Sequence, residues 1–390
     1  MKQIQPSFIR EILKVASDPT VISFAGGLPN AAYFPVEQLK SAFEQVIAES
    51  HSEAFQYNRT EGYQPLREWI ARDVAEKTGR SVSPEQVLIT TGSQQALDLL
   101  AKTFLLDTPS VAMEEPGYLG AKQVFGLYGA QITPVRLSPD GINTEDLAEA
   151  IRKREPSLVY GMSSFQNPTG GSYSSRTVTE VATILEKSES YFVEDDPYAD
   201  LRFSEDASKE TVFSHLDERT FYLGSFSKSV VPSFRLGYVV GPREAVTQLT
   251  RAKQASDLHS SHLLQMVLYR FLSSPHFQDH LRALRSAYEA QKSAMLRAIR
   301  TQLPTAIQVR DTAGGMFLWA ELPVSWSAEA LFERAIKEGV AFVPGNQFHA
   351  TGGHHTLRLN FSNVGNEQIA EGVRRLGKAM QELVGEKAPS

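Results

Sequence analysis

Val87-Leu88-Ile89-Thr90-Thr91-Gly92-Ser93-Gln94-Gln95 sets four apolar or β-branched residues ahead of a Gly-centred turn, and a helical pattern then runs from Gln94 to Leu106. The stretch reads as a strand whose carboxyl end feeds a helix N-terminus. Comparable apolar runs recur at Ser110 to Met113, Leu158 to Met162, Tyr191 to Glu194, Thr220 to Gly224 and Leu236 to Val240. Helical stretches such as Val178 to Lys187 lie between some of them. Strands that are apolar on both faces and separated by helices predict an α/β fold, with a mostly parallel sheet flanked by helices.

The pattern changes toward the C-terminus. Gly315 to Glu321 and Thr356 to Phe361 read as strands, and Ile369, Val373, Leu376, Met380 and Leu383 recur at helical spacing. That spacing buries one helix face, as core packing requires. A large domain over residues 46–290 is expected, with a smaller α+β domain at 291–390. Residues 1–45 would contribute to the small domain and to a substrate pocket. A long helical region from about His259 to Arg300 would connect the two halves.

Composition excludes several function classes. The net charge of -6 gives no electrostatic reason to expect nucleic acid, and no long basic run suggests an anionic membrane. The chain has no cysteine, which removes disulfides, thiolate nucleophiles and Cys-based zinc sites. Met1 to Lys14 carries Lys2, Arg10, Glu11 and Lys14 and lacks a signal-peptide core. No apolar stretch approaches the roughly 20 residues that span a bilayer. A soluble, cytoplasmic protein is expected.

Five segments bear on chemistry, each ambiguous alone. Thr91-Gly92-Ser93-Gln94-Gln95 offers free N–H groups and a helix dipole to a phosphate, or is an ordinary Ser N-cap. In Glu115-Pro116-Gly117-Tyr118, the tyrosine could stack on a flat ring or simply follow a Pro-Gly turn. Gln166-Asn167-Pro168-Thr169-Gly170-Gly171 reads as a turn, or as an amide presented into the cleft at the strand ends. Glu194-Asp195-Asp196 ends an apolar strand, where acids need a cation or donors if buried. A divalent metal is disfavoured as that cation: His354-His355 are adjacent in a Gly-rich loop, and His276 and His280 lack an acidic partner. Finally, Gly224-Ser225-Phe226-Ser227-Lys228 puts a lysine after a strand among hydroxyls, with Arg235 seven residues on. Burial and neighbouring cations would favour its neutral, nucleophilic amine.

The order of these segments resembles the fold-type I pyridoxal-phosphate aminotransferases, most strongly the class I branch of 2-aminoadipate, kynurenine and aromatic aminotransferases. The resemblance runs from Ser7-Phe8-Ile9-Arg10-Glu11-Ile12-Leu13-Lys14 to Leu357-Arg358-Leu359-Asn360-Phe361. It implies pyridoxal 5'-phosphate as cofactor, held by Lys228 as a Schiff base, with the same amine shuttling a proton during catalysis. Asp195, three residues before Tyr198 in the family's Asp-x-x-Tyr pattern, would pair with the ring nitrogen. Asn167 and Tyr198 would bond the ring's phenolic oxygen, and Tyr118 would stack on the ring. Ser93, Gln94, Ser225, Ser227 and Arg235 would bind the phosphate.

By the same resemblance, Tyr57 would reach the phosphate of a neighbouring subunit, so that a homodimer shares its active sites. The branch commonly has Gly-Pro where this chain has Asn58-Arg59. Arg358 would clamp the substrate α-carboxylate, Gly27 would line the pocket, and Arg10 could meet a distal carboxylate. The same domain also occurs in bacterial regulators behind a winged-helix domain. This chain starts at the aminotransferase part, so no DNA-binding role is expected. The implied activity is ping-pong transfer between an aromatic, branched aliphatic or 2-aminoadipate amino acid and a 2-oxo acid, with glutamate/2-oxoglutarate as one pair. A lyase reaction on the same cofactor and a non-catalytic ligand sensor are the alternatives. The sensor reading expects loss of the lysine or the carboxylate arginine, and Lys228 and Arg358 are both present.

Overall fold

The computed structural model describes residues 18–204 and 210–385; Arg10, with the rest of Ser7 to Lys14, lies outside the described residues. Strands follow in chain order as β1 (Ile22–Ser23), β2 (Val87–Thr90), β3 (Ser110–Glu115), β4 (Gln131–Ser138), β5 (Gly141–Ile142), β6 (Leu158–Gly161) and β7 (Tyr191–Asp195). They continue as β8 (Thr220–Ser225), β9 (Gly237–Val240), β10 (Gln308–Val309), β11 (Phe317–Glu321), β12 (Val340–Ala341), β13 (Val343–Pro344) and β14 (Thr356–Asn360).

An eight-stranded sheet has the order β2-β9-β8-β7-β6-β3-β4-β5. From β4 through β3, β6 and β7 to β8 every pairing is parallel, while β9 runs antiparallel to both β8 and β2. The apolar runs follow from this arrangement. Successive residues of one strand enter cores on opposite faces: Phe192 and Val193 of β7, or Tyr222 and Leu223 of β8, belong to different clusters. Along β2, β6, β7, β8 and β9 both faces are covered, so polar alternation has no place there.

The sheet also positions the site. After β3 the chain moves one way to β4 and then returns past β3 to β6, β7 and β8, so the order reverses between β3 and β6. Ligands of open α/β sheets bind at the carboxyl ends beside such a switch. Strand β2 runs in the same direction as β8, because both are antiparallel to β9. The carboxyl ends of β2, β3, β6, β7 and β8 therefore share one edge.

The C-terminal part carries a second sheet, β10-β11-β14-β13, antiparallel throughout. Strand β1 leaves the N-terminal region to pair in parallel with β12. The final helix, Asn366–Gly385, buries Ile369, Val373, Leu376, Met380 and Leu383 and packs on the helix His276–Gln302. The expected single helical region from His259 to Arg300 is two helices, His262–Leu272 and His276–Gln302. The break falls at Ser273-Ser274-Pro275, where proline lacks an N–H and disfavours helical backbone in the residue before it. No helix among the described residues is long and apolar enough to cross a membrane.

Gly237 ties β9 to the turn that follows β2. A Cβ there would lie 2.8–2.9 Å from backbone atoms of Gly224, Gly92 and Ser93, none of which can rotate aside. Gly237→Ala is expected to destabilise the protein by about 1–3 kcal/mol, the usual cost of overpacking a filled interior. It should lower the denaturant midpoint without changing the slope of the transition. An unchanged midpoint would show that the turn can yield.

Candidate active site

A cavity of about 330 Å³ opens at the shared strand edge. Its lining includes Gly27, Ser93, Gln94, Tyr118, Asn167, Asp195, Tyr198, Ser225, Ser227, Lys228, Arg235 and Arg358. The segments read from the sequence thus converge on one space. Tyr57 does not line it: the side chain is 77% exposed, and its ring meets His259 edge-on at 5.8 Å.

One end of the cavity is built for an anion. Gly92 precedes the helix Ser93–Phe104 with φ +75°, and a Cβ there would sit 2.7 Å from the Arg235 guanidinium. Only glycine lets the turn and the arginine come this close. Arg235 Nη1 donates to Ser227 Oγ at 3.3 Å, and the Ser227 N–H donates to Ser225 Oγ at 3.2 Å. Hydroxyls, a guanidinium and a helix N-terminus therefore face the same space, the donor set that a phosphate requires.

The floor carries an acid with an unmet requirement. Asp195 is 1% exposed; its Oδ2 accepts the Tyr160 hydroxyl at 2.8 Å, and its Oδ1 has no hydrogen-bond partner among the described residues. Burial pushes the carboxyl up to about 7 against the lowering effect of Tyr160, and the charge of Asp196 adds to the rise. Of the three consecutive acids, Asp195 alone lines this cavity. Glu194 is satisfied by the Val212 and Phe213 N–H groups at 2.9 and 2.8 Å and by the Ser163 hydroxyl. Asp196 accepts the Tyr222 hydroxyl at 2.9 Å and, with one oxygen unpartnered, borders a separate cavity beside Lys77 and Arg202.

Lys228 lines the same cavity. Its Nζ donates to the Gly27 carbonyl at 2.7 Å. Burial lowers its pKa to about 8, with help from the charges of Arg235 and Arg358. Arg358 lines the same cavity and is 1% exposed. It donates from Nη1 to Asn167 Oδ1 at 2.8 Å and from Nη2 to the Ala25 carbonyl at 2.6 Å, while Nε has no partner. Its guanidinium also stacks 4.3 Å from the Phe317 ring centroid. Burial holds Arg358 down to about 10, with Tyr198 and Tyr118 opposing the fall. The Tyr118 phenol is pushed up to about 12 by burial and then by Asp195. Tyr198 rises well above the phenol range through burial, against a hydrogen bond from the Asn167 side chain.

Sequence reasoning passed over Tyr160, which looks like one more core aromatic. The strand pattern contains the signal: Tyr160 is in register with Val193 of β7, and Asp195 lies two residues on, on the same face.

The sequence profile of the family "Aminotransferase class I and II" matches residues 20–376. A 2-aminoadipate transaminase of Thermus thermophilus is 41% identical over 387 residues, covering 98% of this chain and 96% of that protein. An aromatic-amino-acid aminotransferase of Thermococcus litoralis is 33% identical, covering 97% of this chain and 92% of its own length. The crystal structure of the T. thermophilus α-aminoadipate aminotransferase, complexed with N-(5'-phosphopyridoxyl)-L-leucine, superposes with a TM-score of 0.90 at 40% identity, covering 98% of this chain and 96% of that one. The chain belongs to the class I and II aminotransferases. It is a pyridoxal-phosphate-dependent enzyme that transfers amino groups, and the lyase and sensor readings are not favoured. The cavity suits the cofactor: its lining combines anion donors, an amine, and a buried carboxylate oxygen that, among the described residues, lacks the donor a protonated ring nitrogen supplies.

The lysine titration can be checked directly. In cofactor-free protein the neutral fraction of Lys228 grows as pH rises through about 8. The rate at which the protein captures pyridoxal covalently should follow that rise. A midpoint at the ordinary lysine value of 10.5 would refute the lowered pKa.

Proposed function

We propose that this enzyme is a cytoplasmic homodimer exchanging amino groups between glutamate/2-oxoglutarate and an aromatic, branched aliphatic or 2-aminoadipate partner. The observation that carries the reading is that one cavity is lined by two arginines, Arg235 and Arg358, together with the Lys228 amine and the helix N-terminus at Ser93. A phosphate at one arginine leaves the other for a carboxylate, the one group that every amino acid and 2-oxo acid shares. The names of the relatives support the side-chain classes.

Bound cofactor supplies an electron sink for the bond broken at the substrate Cα. The chain's own residues do the rest. Lys228 would hold the cofactor covalently, and its amine would move the proton between the substrate Cα and the cofactor's C4′. Asp195 holds the proton on the ring nitrogen. Asn167 and Tyr198 bond the ring's phenolic oxygen, and Tyr118 covers a ring face. Ser93, Gln94, Ser225, Ser227 and Arg235 hold the phosphate, joined by Tyr57 of the neighbouring subunit; the exposure of Tyr57 in the single chain supports that assignment. Arg358 grips the α-carboxylate, aided by the backbone near Gly27, and Arg10 meets a distal carboxylate. Residues 291–390, with part of 1–45, form a small domain against the cofactor-binding 46–290.

Half-reactions with a panel of amino acids, followed by cofactor absorbance, test the carboxylate clamp. Arg358→Ala should cut kcat/KM by roughly 100-fold for every amino acid, about 3 kcal/mol for a charge-assisted hydrogen-bond pair. Arg358→Lys should restore little, because the planar fork is lost. If simple amines matched amino acids as donors, the clamp would be wrong.

Arg10→Ala separates the distal carboxylate from the α-carboxylate. It should reduce kcat/KM for glutamate and 2-aminoadipate by at least roughly tenfold, the worth of one exposed-to-buried ion pair, and leave an aromatic donor unaffected. Equal values for glutamate in the two proteins would remove Arg10 from the site.

A further inference from the structure

Behind the anion cup lies a buried cation with no part in the chemistry so far. Lys253, on the helix Arg243–Ser256, is 0% exposed. Its ammonium donates to Gln95 Oε1 at 2.7 Å, Asp257 Oδ1 at 2.8 Å and Ser260 Oγ at 3.2 Å. Each of its three protons has an acceptor. A paired buried charge is weak evidence for stability, since apolar residues of similar size often serve as well. What the pair holds in place is therefore the informative question.

It holds the turn that carries Ser93 and Gln94. The same Gln95 Oε1 accepts the Thr91 N–H at 2.8 Å, so the side chain reaches back across the first turn of the helix. Gln95 Nε2 donates to Asp257 Oδ2 at 2.6 Å. The Thr91 hydroxyl lies 2.9 Å from Ser260 Oγ. Thr91 and Gln95 bracket Ser93-Gln94, and both are tied to the Lys253–Asp257–Ser260 group. A lone glutamine could rotate away from Thr91, but one clamped from two sides cannot.

We propose that Lys253 is a positioning residue that, acting through Gln95, keeps the Thr91–Gln95 turn in its anion-binding shape. The proposal rests on the reading that Ser93 and Gln94 hold the cofactor's phosphate. A merely structural lysine would affect all ligands of the cavity alike, whereas a clamp on the turn affects the phosphate alone.

The test is equilibrium binding of pyridoxamine 5'-phosphate and of pyridoxamine, two amines that cannot link to Lys228, to the full-length protein freed of cofactor. Wild type should prefer the phosphorylated compound. Lys253→Met should shrink that preference at least tenfold and change pyridoxamine affinity less than twofold. Gln95→Ala, at a half-buried position where folding is little at risk, should reproduce the selective loss. A folded variant of either kind that keeps the wild-type preference, or weakens both ligands equally, overturns the proposal. A wild type with no preference overturns it together with the phosphate reading.

Discussion

Asp195 ends an apolar parallel strand with a 1% exposed carboxylate, one oxygen held by Tyr160 and the other unmatched. Burying a charge in this way costs several kcal/mol unless a counter-charge arrives. Without one, the carboxyl retains its proton up to about pH 7. Its nearest side-chain partner is a neutral phenol, and its nearest charge, Asp196, is of the wrong sign. The site is thus arranged around a debt that only a bound cationic donor settles. That arrangement makes the acid strongly responsive to what occupies the cavity.

The positive groups answer it from a distance. Arg235 and Arg358 line the same cavity as Lys228, and both add to the lowering of its pKa by burial. Two cations placed to receive anions therefore also make Lys228 a better nucleophile. The coupling is reciprocal. Anions beside them would screen the arginines and raise the amine's pKa, so Lys228 is most reactive toward a carbonyl when the arginines are bare.

Much of this is legible in the sequence, and the exceptions have physical causes. Doubly buried strands announce themselves as apolar runs, so β2, β6 and β7 fall within a residue or so of their expected limits. Strand β3 runs past Met113 because Glu114 is bonded by the Met162 N–H, the Tyr173 hydroxyl and Gln166, partners that no local pattern reveals. Strand β4 has no counterpart among the expected strands: it keeps exposed or half-exposed residues on both sides of Val135 and contains a proline. The two-residue pairings of β1, β12 and β13 are too short to have a period. Among site residues, the choice of Asp195 over Asp196 rests on its spacing to Tyr198, and the cavity lining agrees with it. Tyr57 is the counterexample, since one chain's cavity does not contain a residue assigned to another chain's site.

The anion cup shows why motif and scaffold cannot be separated here. Gly92 is held to glycine by its φ of +75°, and Gly237 by the backbone of Gly224, Gly92 and Ser93 that a Cβ would meet. Gln95 Oε1 accepts the turn's first N–H, and Lys253 donates to that same oxygen. Residues distant in sequence thus press on the turn's five residues, and Gly237 and Lys253 do so without lining the cavity. A local reading sees only Thr-Gly-Ser-Gln-Gln, which fits any N-cap. What distinguishes a phosphate cup from a cap is the constraint imposed from outside it, because donors that cannot relax toward one another stay aimed at the anion.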